Sequence, residues 1–158
     1  MTVTVLDASA LLAYLQQEPG ASVVAEGLDG ALLSSVNLAE VLQKAAQFDA
    51  DTTGLADDLV ELGLRIEPFS VRQAALAAEL WEATRAWGLS LADRACLALA
   101  SEHKARVLTA DRVWAELSLP LWLIWPSEQV STSKSALPSP DLMTTSQIEA
   151  AENSGWVP

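Results

Sequence analysis

Short apolar runs alternate with stretches in which apolar residues return every third or fourth position. Runs at residues 3–6, 31–33, 64–67, 105–108 and 121–124 have the length and density of buried strands. The segments 10–17, 21–28, 38–48, 55–62, 71–87, 91–103 and 112–117 carry helical spacing, with Pro19-Gly20, Asp29-Gly30 and Gly88 as breakers between elements. Strands that alternate with helices predict an α/β fold on a parallel sheet.

Two helices carry more detail. In residues 38–48, Leu38, Val41, Leu42, Ala45 and Phe48 form one apolar stripe, and Glu40 and Lys44 sit four apart beside it. Ser90 precedes Leu91-Ala92-Asp93, so it can cap the helix that follows, with Asp93 in the first turn where the dipole favours an anion.

After Pro126 the periodicity stops and a Ser-, Thr- and Pro-containing segment begins. Residues 1–126 therefore read as one domain and 127–158 as a flexible extension, with room for a short helix around 145–152 and a terminal aromatic at Trp156. A domain of this length, drawn from a chain that is 51% hydrophobic, can bury a core without disulfides. Cys96, the one cysteine, lies in an apolar helix pattern and reads as an inert buried thiol. No apolar run reaches the roughly 18 residues of a membrane span, and the first residues lack the pattern of a secretory signal, so a soluble cytoplasmic protein is expected.

The chemistry lies in four acids. Asp7 and Asp111 follow directly on predicted strands, and Glu40 and Asp93 lie near the starts of predicted helices, so all four can meet at the carboxyl edge of a parallel sheet. Carboxylates gathered there repel one another unless a hard cation, Mg²⁺ or Mn²⁺, sits among them. One histidine, His103, and one cysteine leave no zinc-type cluster. A divalent ion among carboxylates suits metal-assisted phosphodiester hydrolysis. Ser9, Asn37 and Thr109 are spaced to orient the acids, although Ser9 and Asn37 can equally cap helices beginning after them. Arg94 and Arg112 directly follow the third and fourth acids and are weak candidates for phosphate contacts. A net charge of −12 opposes nonspecific nucleic-acid binding, yet a bound pair of divalent ions would return about four positive charges to the acidic patch.

The four acids stand in the words Val3-Thr4-Val5-Leu6-Asp7-Ala8-Ser9, Ser34-Ser35-Val36-Asn37-Leu38-Ala39-Glu40, Leu89-Ser90-Leu91-Ala92-Asp93-Arg94 and Val107-Leu108-Thr109-Ala110-Asp111-Arg112. In order and context these words resemble the acidic signature of PIN-domain ribonucleases, most closely the VapC-type toxins of type II toxin–antitoxin pairs. The resemblance covers about residues 1–126 and implies a three-layer α/β/α fold with a central parallel sheet of four to five strands. It also implies an Mg²⁺- or Mn²⁺-dependent endoribonuclease, with Asp7, Glu40, Asp93 and Asp111 as metal-binding catalytic acids. Asp7 and Asp93 would be the most direct ligands, and Thr109 at the end of its strand matches the family pattern. Structured RNA such as tRNA or rRNA as substrate, inhibition of translation, a cognate antitoxin partner and a homodimer follow from the same resemblance.

Other readings fare less well. A haloacid-dehalogenase-type phosphatase needs an Asp where Ser9 stands, a receiver domain needs an acidic pair where Val5-Leu6 stand, and no phosphate-cradling glycine loop is present. The remaining alternative is a catalytically silent scaffold acting through a protein partner. For such a partner, an apolar face of Leu11, Leu12 and Leu15 is expected to be exposed near Asp7, and most of the six tryptophans are expected in the core.

Overall fold

The computed structural model describes residues 3–117. Four short strands, β1 (Thr4–Leu6), β2 (Leu32–Ser34), β3 (Arg65–Glu67) and β4 (Arg106–Leu108), form one sheet in the order β3-β2-β1-β4, parallel throughout. The helices are α1 (Ala8–Leu15), α2 (Ala21–Gly27), α3 (Ser35–Gln47), α4 (Leu55–Glu61), α5 (Val71–Thr84) and α6 (Leu91–His103). Single 3₁₀ turns cover Arg85–Trp87 and Arg112–Glu116. The expected strand at 121–124 and the extension at 127–158 lie outside the described residues.

Alternate strand residues face opposite sides of a sheet, and here they found two cores. Val5, Leu32 and Val107 pack with Leu80 of α5, Cys96, Leu97 and Leu99 of α6, and Trp114. Their neighbours Leu6, Leu33 and Leu108 pack with Ala10 and Leu11 of α1, Val24 of α2, Val41 of α3 and Leu59 of α4. With helices on both faces, the fold is the three-layer α/β/α arrangement. Both faces being covered explains why the strand words are apolar runs rather than alternating ones.

The chain adds β2 and then β3 on one side of β1 before returning to place β4 on its other side. Strand order therefore reverses between β1 and β4, and a crevice opens beyond their carboxyl ends. The in-register pairing of Leu6 with Leu108 brings the residues after both strands level with one another.

Some details differ from the sequence expectation. The segment 71–87 is not one helix: α5 ends at Thr84 and gives way to a 3₁₀ turn closed by Gly88 at φ 71°, a left-handed conformation that favours glycine. Leu11, expected on an exposed face, is fully buried, while Leu12 and Leu15 are half-buried. Phe48, at the end of the apolar stripe of α3, is 75% exposed. Trp81 and Trp87 stand on the surface, with the Arg85 guanidinium 5.2 Å from the Trp81 ring. Arginine and indole shield each other there by cation–π stacking, which removes the need to bury the ring.

Trp114 alone among the described tryptophans is fully buried. It anchors the turn that follows Asp111, and its indole N–H has no partner among the described residues. Trp114→Ala should therefore lower the free energy of unfolding by about 3–5 kcal/mol in urea titrations. Trp114→Phe, which refills most of the volume and removes the orphaned donor, should cost markedly less.

Candidate functional site

Each acid reaches the crevice from a different element, and in three cases its backbone position is set by helix capping. Asp7 ends β1 and is the N-cap of α1, accepting from the Ser9 amide. Asp93 is the third residue of α6 in a reciprocal capping box: its Oδ2 accepts from the Ser90 amide at 2.6 Å while Ser90 Oγ accepts from the Asp93 amide. Asp111 caps the Arg112–Glu116 turn through Oδ1, which accepts from the Val113 amide at 3.0 Å. Glu40 lies in the second turn of α3, a helix that begins at Ser35 with Ser34 as its cap.

Ser9 and Asn37 thus lie inside α1 and α3, and the capping role falls to Asp7 and Ser34 instead. Both turn toward Asp7, a residue only 2% exposed. Asp7 Oδ2 accepts from Ser9 Oγ at 2.6 Å, from Thr109 Oγ1 at 3.1 Å and from the Ser9 amide at 3.3 Å. Each hydroxyl hydrogen is spent on Asp7, and the hydroxyl oxygens then accept from the backbone after β4. Ser9 Oγ takes the Ala110 amide and Thr109 Oγ1 takes the Asp111 amide, at 3.0 and 3.1 Å. Asn37 Nδ2 reaches Asp7 Oδ1 at 3.5 Å and the Ala92 carbonyl at 3.1 Å, linking α3 to the start of α6.

The charges interact. Burial pushes the Asp7 carboxyl up to about 6, and the Asp93 charge adds to this against the lowering effect of the Ser9 and Thr109 hydrogen bonds. Asp93 is also raised, first by its own partial burial and further by Glu40 and Asp111, while its bonds to Ser90 oppose the rise. Asp93 therefore feels the other three acids directly or as their neighbour. Beneath them the buried Cys96 thiol is raised well above its usual range by desolvation and by the same carboxylates, which keeps it a protonated, inert packing group.

The donor chemistry suits a hard cation. Asp7 commits Oδ2 and leaves Oδ1 with only the long Asn37 contact, Asp93 commits Oδ2, and Asp111 commits Oδ1. Glu40 accepts from Lys44 Nζ through Oε1 at 2.7 Å, while its Oε2 is buried with no partner among the described residues, as is Asn37 Oδ1. Buried oxygens without donors are costly unless a cation or water meets them. In the side-chain positions adopted, no three carboxylates among the described residues are arranged to hold one metal ion.

The arginines behave differently from one another. The Arg94 guanidinium turns away to the Ala77 carbonyl of α5 at 2.8 Å and fastens α6 to α5, whereas Arg112 is exposed. Lys44, legible in the sequence only as a helix-surface ion pair, stands beside the acids in the fold. Its ammonium is raised above its ordinary range chiefly by the Glu40 hydrogen bond, with Asp7 and Asp93 contributing. Separately, a concavity of about 320 Å³ lies at the C-terminal ends of α1 and α3, lined by Leu12, Leu15, Ala45, Phe48 and Leu55.

A raised acid pKa makes a native protein less stable as pH climbs. The metal-free chain should lose stability between about pH 4 and pH 6, where the native state still holds the Asp7 proton that the unfolded state releases. The shift corresponds to on the order of 3 kcal/mol. With metal chelated, Asp7→Asn should thus be more stable than the wild type at pH 7.5, and the gain should vanish near pH 4. Urea titrations at both pH values check this, and equal stability of the two forms at pH 7.5 would contradict it.

Comparison with known proteins gives a family match, the PIN domain, over residues 4–119. No curated protein matches the chain. Among solved structures, the fold is similar to a chain of a toxin–antitoxin complex from Klebsiella pneumoniae, with TM-score 0.57 and 19% identity over 73% of this chain and 92% of that one. FitAcB from Neisseria gonorrhoeae aligns at TM-score 0.54 and 25% identity, covering 68% of this chain and 87% of its own. DNA-bound VapBC from Salmonella typhimurium aligns at TM-score 0.57 and 15% identity, covering 75% and 94%.

Proposed function

Because the chain belongs to the PIN domain family, we propose that it is a metal-dependent endoribonuclease and the toxin of a VapC-type toxin–antitoxin pair that inhibits translation. The observation that carries the reading is the buried Asp7 carboxylate, fixed by Ser9, Thr109 and Asn37 within the field of Asp93, with unpartnered Glu40 and Asn37 oxygens beside it.

Asp7, Glu40, Asp93 and Asp111 would hold Mg²⁺ or Mn²⁺, which supplies Lewis-acid polarisation of a phosphodiester and offsets its growing negative charge. The chain's own part is positional. Asp7 is ionised at neutral pH, since its pKa lies near 6, and the Ser9 and Thr109 hydroxyls stabilise that form by donating to it. Asp93 can present Oδ1 without leaving Ser90, and Asp111 can present Oδ2 without leaving Val113. Asn37 Oδ1 has no donor among the described residues and is suited to accept from a water ordered among the acids.

For the antitoxin, the reading selects the concavity lined by Leu12, Leu15 and Phe48. An apolar segment with basic neighbours would fill it and answer the net charge of −12. The likeness to a chain of the Klebsiella pneumoniae toxin–antitoxin complex supports an antitoxin partner. A cytoplasmic homodimer acting on tRNA or rRNA completes the proposal. Among the described residues, no helix is long and apolar enough to cross a membrane.

Pulse expression followed by sequencing of RNA ends tests the activity. Wild type should produce discrete new ends, and Asp7→Asn should reduce them at least about 100-fold, in line with losing a group that acts on transition-state charge. Intact cleavage by Asp7→Asn would remove the metal assignment. Failure of the wild type to cut any RNA with Mg²⁺ or Mn²⁺ would favour the scaffold reading. Leu15→Glu should abolish binding of the protein encoded beside this chain while leaving the fold intact by circular dichroism, and unchanged affinity would discard the docking site.

A further inference from the structure

The acids explain how a cation is held but leave open how a polyanion approaches a chain of net charge −12. Among ion pairs between described residues, Lys44–Glu40 is the one that involves an acid of the quartet. Its Nζ lies 2.7 Å from Glu40 Oε1, and 45% of the side chain is exposed. An ammonium has three hydrogens, so one bond to Glu40 leaves two for another acceptor. Through its contact with Glu40 the ammonium stands beside the acid group.

Other cations are engaged elsewhere. Arg65 pairs with Glu67 on its own strand, Arg85 with Glu82 of α5, Arg72 with Glu102, and Arg94 with a carbonyl of α5, whereas Arg112, next to Asp111, is exposed. A half-exposed helix pair such as Lys44–Glu40 adds little to stability, which is a weak structural reason for a lysine at this point. Its position is better explained by a ligand. Glu40 can also hold Lys44 through Oε1 while its unpartnered Oε2 serves a cation, so the two roles do not compete for one oxygen.

We infer that Lys44 is a substrate-binding residue: held by Glu40 at the mouth of the acid group, its ammonium takes a non-bridging oxygen of an RNA phosphate. The inference rests on the ribonuclease reading and identifies the contact that brings the backbone of the substrate to the acids. Binding there is electrostatic and independent of base identity.

The experiment measures binding of a mixed-sequence single-stranded RNA oligonucleotide across a NaCl series, in an Asp7→Asn background that does not cut. Adding Lys44→Met should weaken binding about five- to tenfold at low salt and reduce the slope of log affinity against log salt by about one. Lys44→Arg should retain most of the affinity, and Arg65→Gln, at the opposite end of the sheet, should leave it unchanged. With Asp7 restored, Lys44→Met should raise KM for cleavage with little change in kcat. If Lys44→Met leaves RNA affinity and salt slope unchanged while tightening Mn²⁺ binding by calorimetry, the lysine is only the counter-ion of Glu40 and the inference falls. Absence of cleavage by the wild type would strike the ribonuclease reading alone, since the binding comparison still decides the phosphate contact.

Discussion

One buried carboxylate organises the carboxyl edge of the sheet. Asp7 is almost wholly removed from water, and an ionised carboxylate in that position demands donors. The chain meets the demand with two hydroxyls, and because each hydroxyl has only one hydrogen, its oxygen must look elsewhere for a donor. Ser9 finds the Ala110 amide and Thr109 the Asp111 amide. The need of one acid is thereby transmitted to the backbone that carries another, and the ends of β1 and β4 are fixed together beyond the last strand hydrogen bonds. Asn37 extends the same logic to α3 and α6 by sharing its amide between Asp7 and the Ala92 carbonyl. Burial still outweighs the donors, as the raised pKa of Asp7 attests, so the arrangement is a strained compromise in the absence of a cation.

That compromise also explains the second duty of the acids. A carboxylate has two oxygens, and Asp7, Asp93 and Asp111 each spend one on a helix or turn N-terminus, where an anion is favoured by unpaired amides and the dipole. Capping fixes where the carboxylate begins, and the other oxygen remains for chemistry. Glu40, inside a helix, has no amide to cap and uses Lys44 instead. The same residue types that give the sequence its helix-start signals thus give the site its charge.

The fold was legible because its two signals are strong. Apolar runs of strand length between helical periods dictated the parallel sheet, and α6 occupies the very residues its cap and apolar spacing predict. The ordered acids disclosed their family before any geometry, and the PIN match over residues 4–119 agrees. Boundaries were less legible where one residue had two possible jobs. Asp7 reads equally as the end of a strand and as a helix cap, and because it is a cap, α1 starts at Ala8 rather than at residue 10, drawing Ser9 into the helix. The exposure of Phe48 and the burial of Leu11 were not readable from periodicity, since a stripe gives a direction and not the extent of the neighbour that covers it.

Lys44 shows the same limit at the site. Its spacing to Glu40 is that of any surface ion pair, and nothing in the sequence distinguishes it from Arg85 with Glu82, three residues apart on a helix. What differs is the tertiary setting: Arg85 stacks on Trp81 at the surface, while Lys44 stands in the field of Glu40 on its own helix and of Asp7 and Asp93 from two other parts of the fold. A positive charge at such a point costs little to maintain because the carboxylates favour it, and it adds locally the attraction that the chain as a whole lacks. Global charge governs an anion at distances up to about the screening length, about 8 Å at physiological salt, and at closer range individual charges such as the Lys44 ammonium weigh more. A locally placed ammonium can in this way offset, at one point, the repulsion that a net charge of −12 exerts on any anion.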